Sequence, residues 1–233
     1  MSSLIHIFDD NKFYTRLILL ILIELGNFYL LESPLNIMIT AIEVVVVMSL
    51  MIRKDYPSAL IFHVIFCLTG CDATSASSDA QLFSYPEIKL IGPLTLSYIL
   101  LGMLWLANRK KTIQAPKDSL LWGVRKLMSF FLIYGTGIGV LGLLIFNYRL
   151  NDFITAFIYI FVGYLYVDIF SRNYDDNYLH KCKNAAMSLL LTAPIVSFIS
   201  YFLLNIRVSY SVFDALVFNE EFIMGAILIL ILF

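Results

Sequence analysis

The chain has 233 residues, of which 60% are hydrophobic and only 14% are charged, and its formal net charge is −1. Soluble domains are about 45–50% apolar and about 25% charged, and a soluble core of this size cannot hide so much apolar surface. This composition therefore excludes a soluble domain, and the predicted partner is the lipid bilayer. A nucleic-acid-binding surface is excluded as well, because the net charge is near zero and the sequence has no long Lys/Arg run.

Eight apolar runs follow one another along the chain. Their continuity favours helices over barrel strands, in which polar residues would alternate with apolar ones. Seven runs are predicted to be complete membrane spans: Leu17–Leu31, Leu35–Ile52, Tyr56–Gly70, Ile88–Ala107, Leu127–Phe146, Phe153–Phe170 and Asn184–Ile206. The sequence therefore predicts an all-α, polytopic transmembrane helix bundle that forms a single transmembrane domain over residues 1–233.

Positive charge gives the predicted orientation of this bundle, because short cytoplasmic loops carry an excess of Lys and Arg. Thirteen of the 16 Lys and Arg residues fall on one side of the predicted spans. The three on the other side are Lys89, Arg149 and Arg207. This unequal distribution of Lys and Arg predicts a cytoplasmic N-terminus and an outward-facing loop over Cys71–Glu87. Within the basic loop that precedes the fifth span, Leu120–Val124 is predicted to lie at the membrane interface.

The eighth run, Phe222–Phe233, is shorter than the others. Its 12 residues would cover about 18 Å as a helix, against a hydrocarbon core about 30 Å thick. The run is either re-entrant or an incomplete eighth span, and we favour the second interpretation. On that interpretation, the chain is the front part of a longer fold.

Three ionisable residues fall in the middle of the first three spans: Glu24, Glu43 and His63. Such groups are costly inside a bilayer, about 2.5–3.5 kcal/mol each on insertion, and often mark a functional site. Consecutive antiparallel helices are usually neighbours, so the three side chains are expected to meet at one depth. They would form either a proton relay or coupling-ion site, or a set of interhelical hydrogen bonds that only stabilise packing.

The outward cations form a second candidate site. Lys89, Arg149 and Arg207 are each predicted near an outer helix end. Lys and Arg bind phosphate oxygens through charge-assisted hydrogen bonds, so these residues could hold the pyrophosphate of a lipid-linked donor. The alternative is that each extends to the lipid headgroups and does nothing more.

The remaining motifs indicate packing. Gly135 and Gly139 are four residues apart in the fifth span, the spacing that lets two membrane helices approach closely. The glycine cluster lacks the Gly-Lys-Ser/Thr ending of a phosphate-binding loop. No motif predicts a catalytic residue, a metal site or a cofactor.

The order of the spans, the outward loop and the phrase Pro86–Leu101, PEIKLIGPLTLSYILL, resemble the N-terminal half of the bacterial O-antigen polymerase and ligase family. The resemblance covers nearly the whole chain in layout, and the phrase is its one local match. It implies a multi-pass protein of the bacterial inner membrane. The implied activity is transfer of a glycan from an undecaprenyl-diphosphate carrier, without a nucleotide sugar or an obligatory metal.

The resemblance carries over no catalytic residue, because the family's reactive cations lie in a large later outward loop that this chain does not contain. It therefore implies a truncated chain, inactive alone or one part of a split protein. A small-solute or ion-coupled transporter subunit is the alternative function, with Glu24, Glu43 and His63 at the membrane midplane. A scaffolding membrane protein without chemistry is a third.

Overall fold

A computed structural model describes residues 5–29, 35–69, 85, 88–91, 94–146 and 149–199. Two short 3₁₀ helices, Ile5–Phe8 and Asp10–Lys12, precede the first α-helix. The α-helices are α1 (Phe13–Tyr29), α2 (Asn36–Ile52), α3 (Tyr56–Thr69), α4 (Leu96–Asn108), α5 (Leu120–Ile145), α6 (Leu150–Arg172) and α7 (Asp176–Phe198). The strands β1 (Lys89–Ile91) and β2 (Leu94–Thr95) pair in an antiparallel hairpin.

The predicted helical fold is confirmed, since each of the seven predicted complete spans overlaps one α-helix. Within the described ranges, α5 and α6 are long and apolar enough to cross a membrane. The helices α2, α3 and α4 are also apolar but have only 17, 14 and 13 residues. Seven complete spans therefore stay a prediction, and the eighth run, Phe222–Phe233, lies outside the described residues.

The start of the fourth predicted span is not helical. Residues 89–95, expected inside a helix, contain the β1–β2 hairpin, in which Lys89 pairs with Thr95 and Ile91 with Leu94. Pro93 has no N–H and disfavours a helical conformation at the residue before it. The helix α4 begins at Leu96.

The chain divides into two compact units. Unit 1 contains Met1–Ser97 and Asp176–Phe233, and unit 2 contains Tyr98–Asp175. In unit 1, α1 packs against α7, and α3 is buried along most of its length. The Arg16 guanidinium donates from Nε to Ser188 Oγ at 2.6 Å and from a terminal nitrogen to the Ile7 carbonyl at 2.8 Å. These bonds join α7, α1 and the N-terminal 3₁₀ helix.

The turn between α2 and α3 fixes these two helices as neighbours in unit 1. Lys54 adopts a φ of 60°, and this left-handed residue lets the Asp55 N–H donate to the Leu50 carbonyl at 3.0 Å. The Asp55 carboxylate then accepts from the backbone N–H of Ser58 at 3.3 Å and from its hydroxyl at 2.7 Å. The Asp55 carboxylate thus satisfies the Ser58 N–H at the start of α3, which has no partner within the helix.

In unit 2, α5 and α6 pack against each other along a line of small residues. A Cβ atom at Gly139 would overlap the ring of Phe153, and one at Gly135 would lie 3.4 Å from Ile160 Cδ1. The packing role predicted for the glycines is therefore confirmed at Gly139, whereas a Cβ atom at Gly135 would make only an ordinary van der Waals contact. The helix α5 begins at Leu120 because Ser119 Oγ accepts from the Trp122 N–H at 3.3 Å, so the predicted interfacial segment is the first turn of this helix.

Candidate functional site

The structure buries all three ionisable residues predicted at the midplane. Glu24, Glu43 and His63 are 5%, 3% and 1% exposed, on α1, α2 and α3 respectively. The helix α1 contacts both α2 and α3, so the three residues lie on helices that pack together within unit 1.

His63 lies in a cluster that the sequence did not reveal in full. Its Nδ1 is 2.8 Å from the hydroxyl of Tyr85, which is completely buried, and its Nε2 is 3.7 Å from Cys67 Sγ. The rings of His63 and Phe66 both meet the Tyr85 ring edge to face. Tyr85 was missed because it belongs to the predicted outward loop, where nothing local indicates burial against α3.

Glu43 contributes to the electrostatic environment of the same tyrosine. Burial raises the pKa of the Tyr85 hydroxyl above its ordinary value, and the nearby Cys67 and Glu43 raise it further. The structure thus places the Tyr85 hydroxyl, which stays protonated, within hydrogen-bonding distance of His63. A neutral imidazole donates from one ring nitrogen and accepts at the other, so His63 can accept the Tyr85 hydroxyl proton in a hydrogen bond at Nδ1.

Two of the three outward cations lie in different units. Lys89 is exposed on β1 in unit 1, whereas Arg149 is exposed at the N-terminal cap of α6 in unit 2. Arg207 lies outside the described residues. Arg149 forms no ion pair with another residue of the described ranges, so its guanidinium can accept an external anion.

Arg149 lines an open groove between α5 and α6, which has a volume of about 530 Å³. The groove is lined by Leu132, Gly135, Thr136, Ile138, Gly139, Arg149, Asp152, Phe153, Ala156, Phe157 and Ile160. Its two charged residues, Arg149 and Asp152, lie at the start of α6, and the rest of the lining is apolar apart from Thr136. The two glycines leave the space that side chains would fill.

A second buried polar cluster in unit 2 was not predicted. Asp168, whose side chain is 0% exposed, accepts from Arg125 Nε at 2.8 Å and from Arg172 Nε at 2.7 Å. It also accepts from the indole N–H of Trp105 at 2.8 Å. One carboxylate therefore joins α4, α5 and α6. The sequence feature that indicates this cluster is an acidic residue inside the sixth apolar run, Asp168, with an arginine four positions later.

The same end of unit 2 holds residues 109–119, a segment that we call the strap. Arg172 donates to the carbonyls of Arg109 and Lys111, and the N–H groups of Gln114 and Ala115 both donate to the Ser171 carbonyl at 3.0 Å. Lys111 Nζ also donates to Asn173 Oδ1 at 2.9 Å. These bonds fix the strap against the end of α6.

In unit 1, the N-terminal segment is held against α7 by polar contacts. Asp10 Oδ1 lies 2.8 Å from His180 Nε2 and accepts from Asn184 Nδ2 at 2.8 Å. These two hydrogen bonds, with the Asn184 bond contributing most, lower the pKa of Asp10 below its usual 3.8. No group of three His, Cys, Asp or Glu side chains in the described part of the chain is arranged to hold a metal ion.

The fold and these clusters define a mostly helical protein with two helices, α5 and α6, that are suited to crossing a membrane. Their length and apolar surface indicate association with a lipid bilayer. No protein-family model, no curated protein and no solved structure matches the chain.

Proposed function

We propose that the chain is a multi-pass membrane protein of surface-polysaccharide polymerisation or ligation, in the O-antigen polymerase and ligase family that it resembles. In this proposal the groove between α5 and α6 holds the carrier lipid of an undecaprenyl-diphosphate-linked oligosaccharide. The observation that carries it is an apolar groove of about 530 Å³ with Arg149 at one end.

Such a substrate has two chemically different parts. Its isoprenoid chain is apolar and suits a groove lined by glycine, aliphatic and aromatic residues. Its diphosphate is anionic and suits a guanidinium at a helix N-terminus, where backbone N–H groups also favour negative charge. Asp152, at the same end of the groove, would accept hydrogen bonds from sugar hydroxyls.

The charge distribution supports a topology for this protein. We place the N-terminus and the strap in the cytoplasm and Arg149 on the outer side of a bacterial inner membrane, because 13 of 16 Lys and Arg residues then face the cytoplasm. The seven apolar runs would each cross the membrane in this arrangement. Arg149 would then meet the diphosphate at the face where lipid-linked glycans are joined.

The proposal predicts that Arg149→Gln weakens binding of undecaprenyl phosphate. One charge-assisted contact contributes about 1.5–3 kcal/mol, so the dissociation constant should rise about 10-fold or more. The measurement is a binding titration of the chain in lipid nanodiscs, with undecaprenyl phosphate as the ligand. A readout of binding is chosen because it needs no acceptor glycan.

Two further variants control this titration. Arg149→Lys keeps the charge and should retain most of the affinity, whereas Lys54→Gln removes an exposed cation from unit 1 and should change nothing. Equal affinities for Arg149→Gln and the unmodified chain would contradict the groove as the carrier site.

A second candidate function rests on the other cluster. Glu43, His63 and Tyr85 are buried, titratable residues of unit 1, and His63 and Tyr85 are within hydrogen-bonding distance, which favours a proton- or ion-coupled transporter subunit. Hydrogen bonding that only stabilises helix packing accounts for the same contacts. We prefer the carrier-lipid function to the transporter function because the groove combines an apolar lining with an exposed cation, Arg149.

A further inference from the structure

The strap and the first turns of α5 carry a strong excess of positive charge at one end of unit 2. Residues 109–126 contain six Lys and Arg side chains and a single carboxylate, Asp118. Five of the cations are exposed: Arg109, Lys110, Lys111, Lys117 and Lys126. The sixth, Arg125, is neutralised internally by Asp168.

These cations are held in place by the protein. Arg172 and Ser171 bind the backbone of the strap, and Asn173 binds the side chain of Lys111. The exposed ammonium groups of Lys110 and Lys117 therefore belong to a fixed segment. Among the described residues, no carboxylate forms an ion pair with Arg109, Lys110, Lys117 or Lys126. The surface therefore presents positive charge that no carboxylate of the described residues balances and that can attract an external anion.

The position of this surface indicates which anion it meets. The strap directly precedes α5 and lies against the end of α6, the two helices suited to crossing a bilayer. Trp122 lies in the first turn of α5, with Arg125 and Lys126 5.7 Å and 5.9 Å from the centre of its ring. Tryptophan and cations at the end of an apolar helix are typical of the headgroup layer of a membrane.

We propose that the strap and the start of α5 form a binding surface for anionic phospholipid headgroups, which concentrates these lipids around the end of unit 2. The partner is the bilayer itself, because the charge lies where the apolar helices end. The inference rests on the proposed membrane placement of α5 and α6 but not on the carrier-lipid groove.

The test uses Trp122 as a local reporter in proteoliposomes. Mixed membranes contain equal mole fractions of phosphatidylglycerol and phosphatidylcholine, and one of the two carries bromine on its acyl chains to quench nearby tryptophan. The chain has two tryptophans, so each measurement is repeated in Trp122→Phe to subtract the signal of Trp105. Brominated phosphatidylglycerol should quench Trp122 roughly two-fold more than brominated phosphatidylcholine, because each nearby cation attracts anionic lipid.

Matched double variants distinguish the effect of losing positive charge from the effect of altering the structure of the strap. Lys110→Gln/Lys117→Gln should remove about half or more of the preference for phosphatidylglycerol, whereas Lys110→Arg/Lys117→Arg should keep it. Raising the salt concentration should weaken the preference, since mobile ions screen exposed charges.

Three results would overturn the inference: equal quenching by the two lipids, a preference unchanged in the Gln variant, or a preference lost in the Arg variant. Quenching by neither lipid would overturn the membrane placement as well, so the two failures are distinguishable.

Discussion

Asp168→Asn is expected to lower the free energy of unfolding by about 2–4 kcal/mol, because it removes the one carboxylate that joins α4, α5 and α6. Asp168 is fully buried and accepts from Arg125, Arg172 and Trp105. Asparagine keeps the size of the side chain but not its charge, so both arginines lose their charged partner.

The two arginines decide how large this effect is. Their side chains are 18% and 15% exposed, so each remains in part in contact with solvent after the carboxylate is lost. This partial exposure limits the cost compared with a fully buried charge that has no partner. The strap should also loosen, since Arg172 binds both Asp168 and the strap carbonyls of Arg109 and Lys111.

Equilibrium unfolding in mixed detergent micelles, followed by circular dichroism, measures this effect. Asp118→Asn is the matched control, because Asp118 is an exposed aspartate of the strap and its loss should change stability by no more than about 0.5 kcal/mol. If the two variants unfold alike, the Asp168 cluster does not hold unit 2 together.

Gly139→Leu should destabilise the α5–α6 pair by about 1–3 kcal/mol, the usual cost of forcing a larger side chain into a packed interface. Even a Cβ atom at this position would overlap the ring of Phe153. The two helices would have to separate or the ring would have to move into the groove. In either case the undecaprenyl phosphate affinity predicted for the groove should also fall.

Gly137→Leu is the control for this substitution on the same helix. A Cβ atom at Gly137 meets nothing within 4 Å, so leucine there should be neutral or slightly stabilising because it replaces a residue of low helix propensity. Both variants are compared by thermal unfolding in detergent. A Gly139→Leu chain as stable as the Gly137→Leu chain would show that the close approach of α5 and α6 is not needed.

The helices could be predicted from the sequence because each is marked by a continuous apolar run. The burial of Glu24, Glu43 and His63 could be predicted for the same reason, since each interrupts such a run near its middle. The β1–β2 hairpin was not predicted, because short apolar segments fit a strand or a helix equally well. Pro93 was the local signal against a helix there.

The two polar clusters could be predicted only in part, because they depend on contacts between distant segments. Tyr85 reaches His63 across 22 positions, and Asp168 reaches Trp105 across 63. Periodicity describes which face of a helix is apolar but not which loop residue packs against it. The pair Asp168 and Arg172, four residues apart on α6, was within reach of sequence analysis.

In the proposed topology, α5 and α6 cross a membrane as an antiparallel pair, with the strap in the cytoplasm and Arg149 outside. Single cysteines at Lys117 in the strap and at Asn151 in the first turn of α6, both exposed, report the two ends. They are introduced after Cys67, Cys71 and Cys182 are replaced by alanine, and a membrane-impermeant maleimide is added to intact cells. Asn151→Cys should be labelled at once and Lys117→Cys only after the membrane is opened, whereas equal labelling of both in intact cells would contradict this topology.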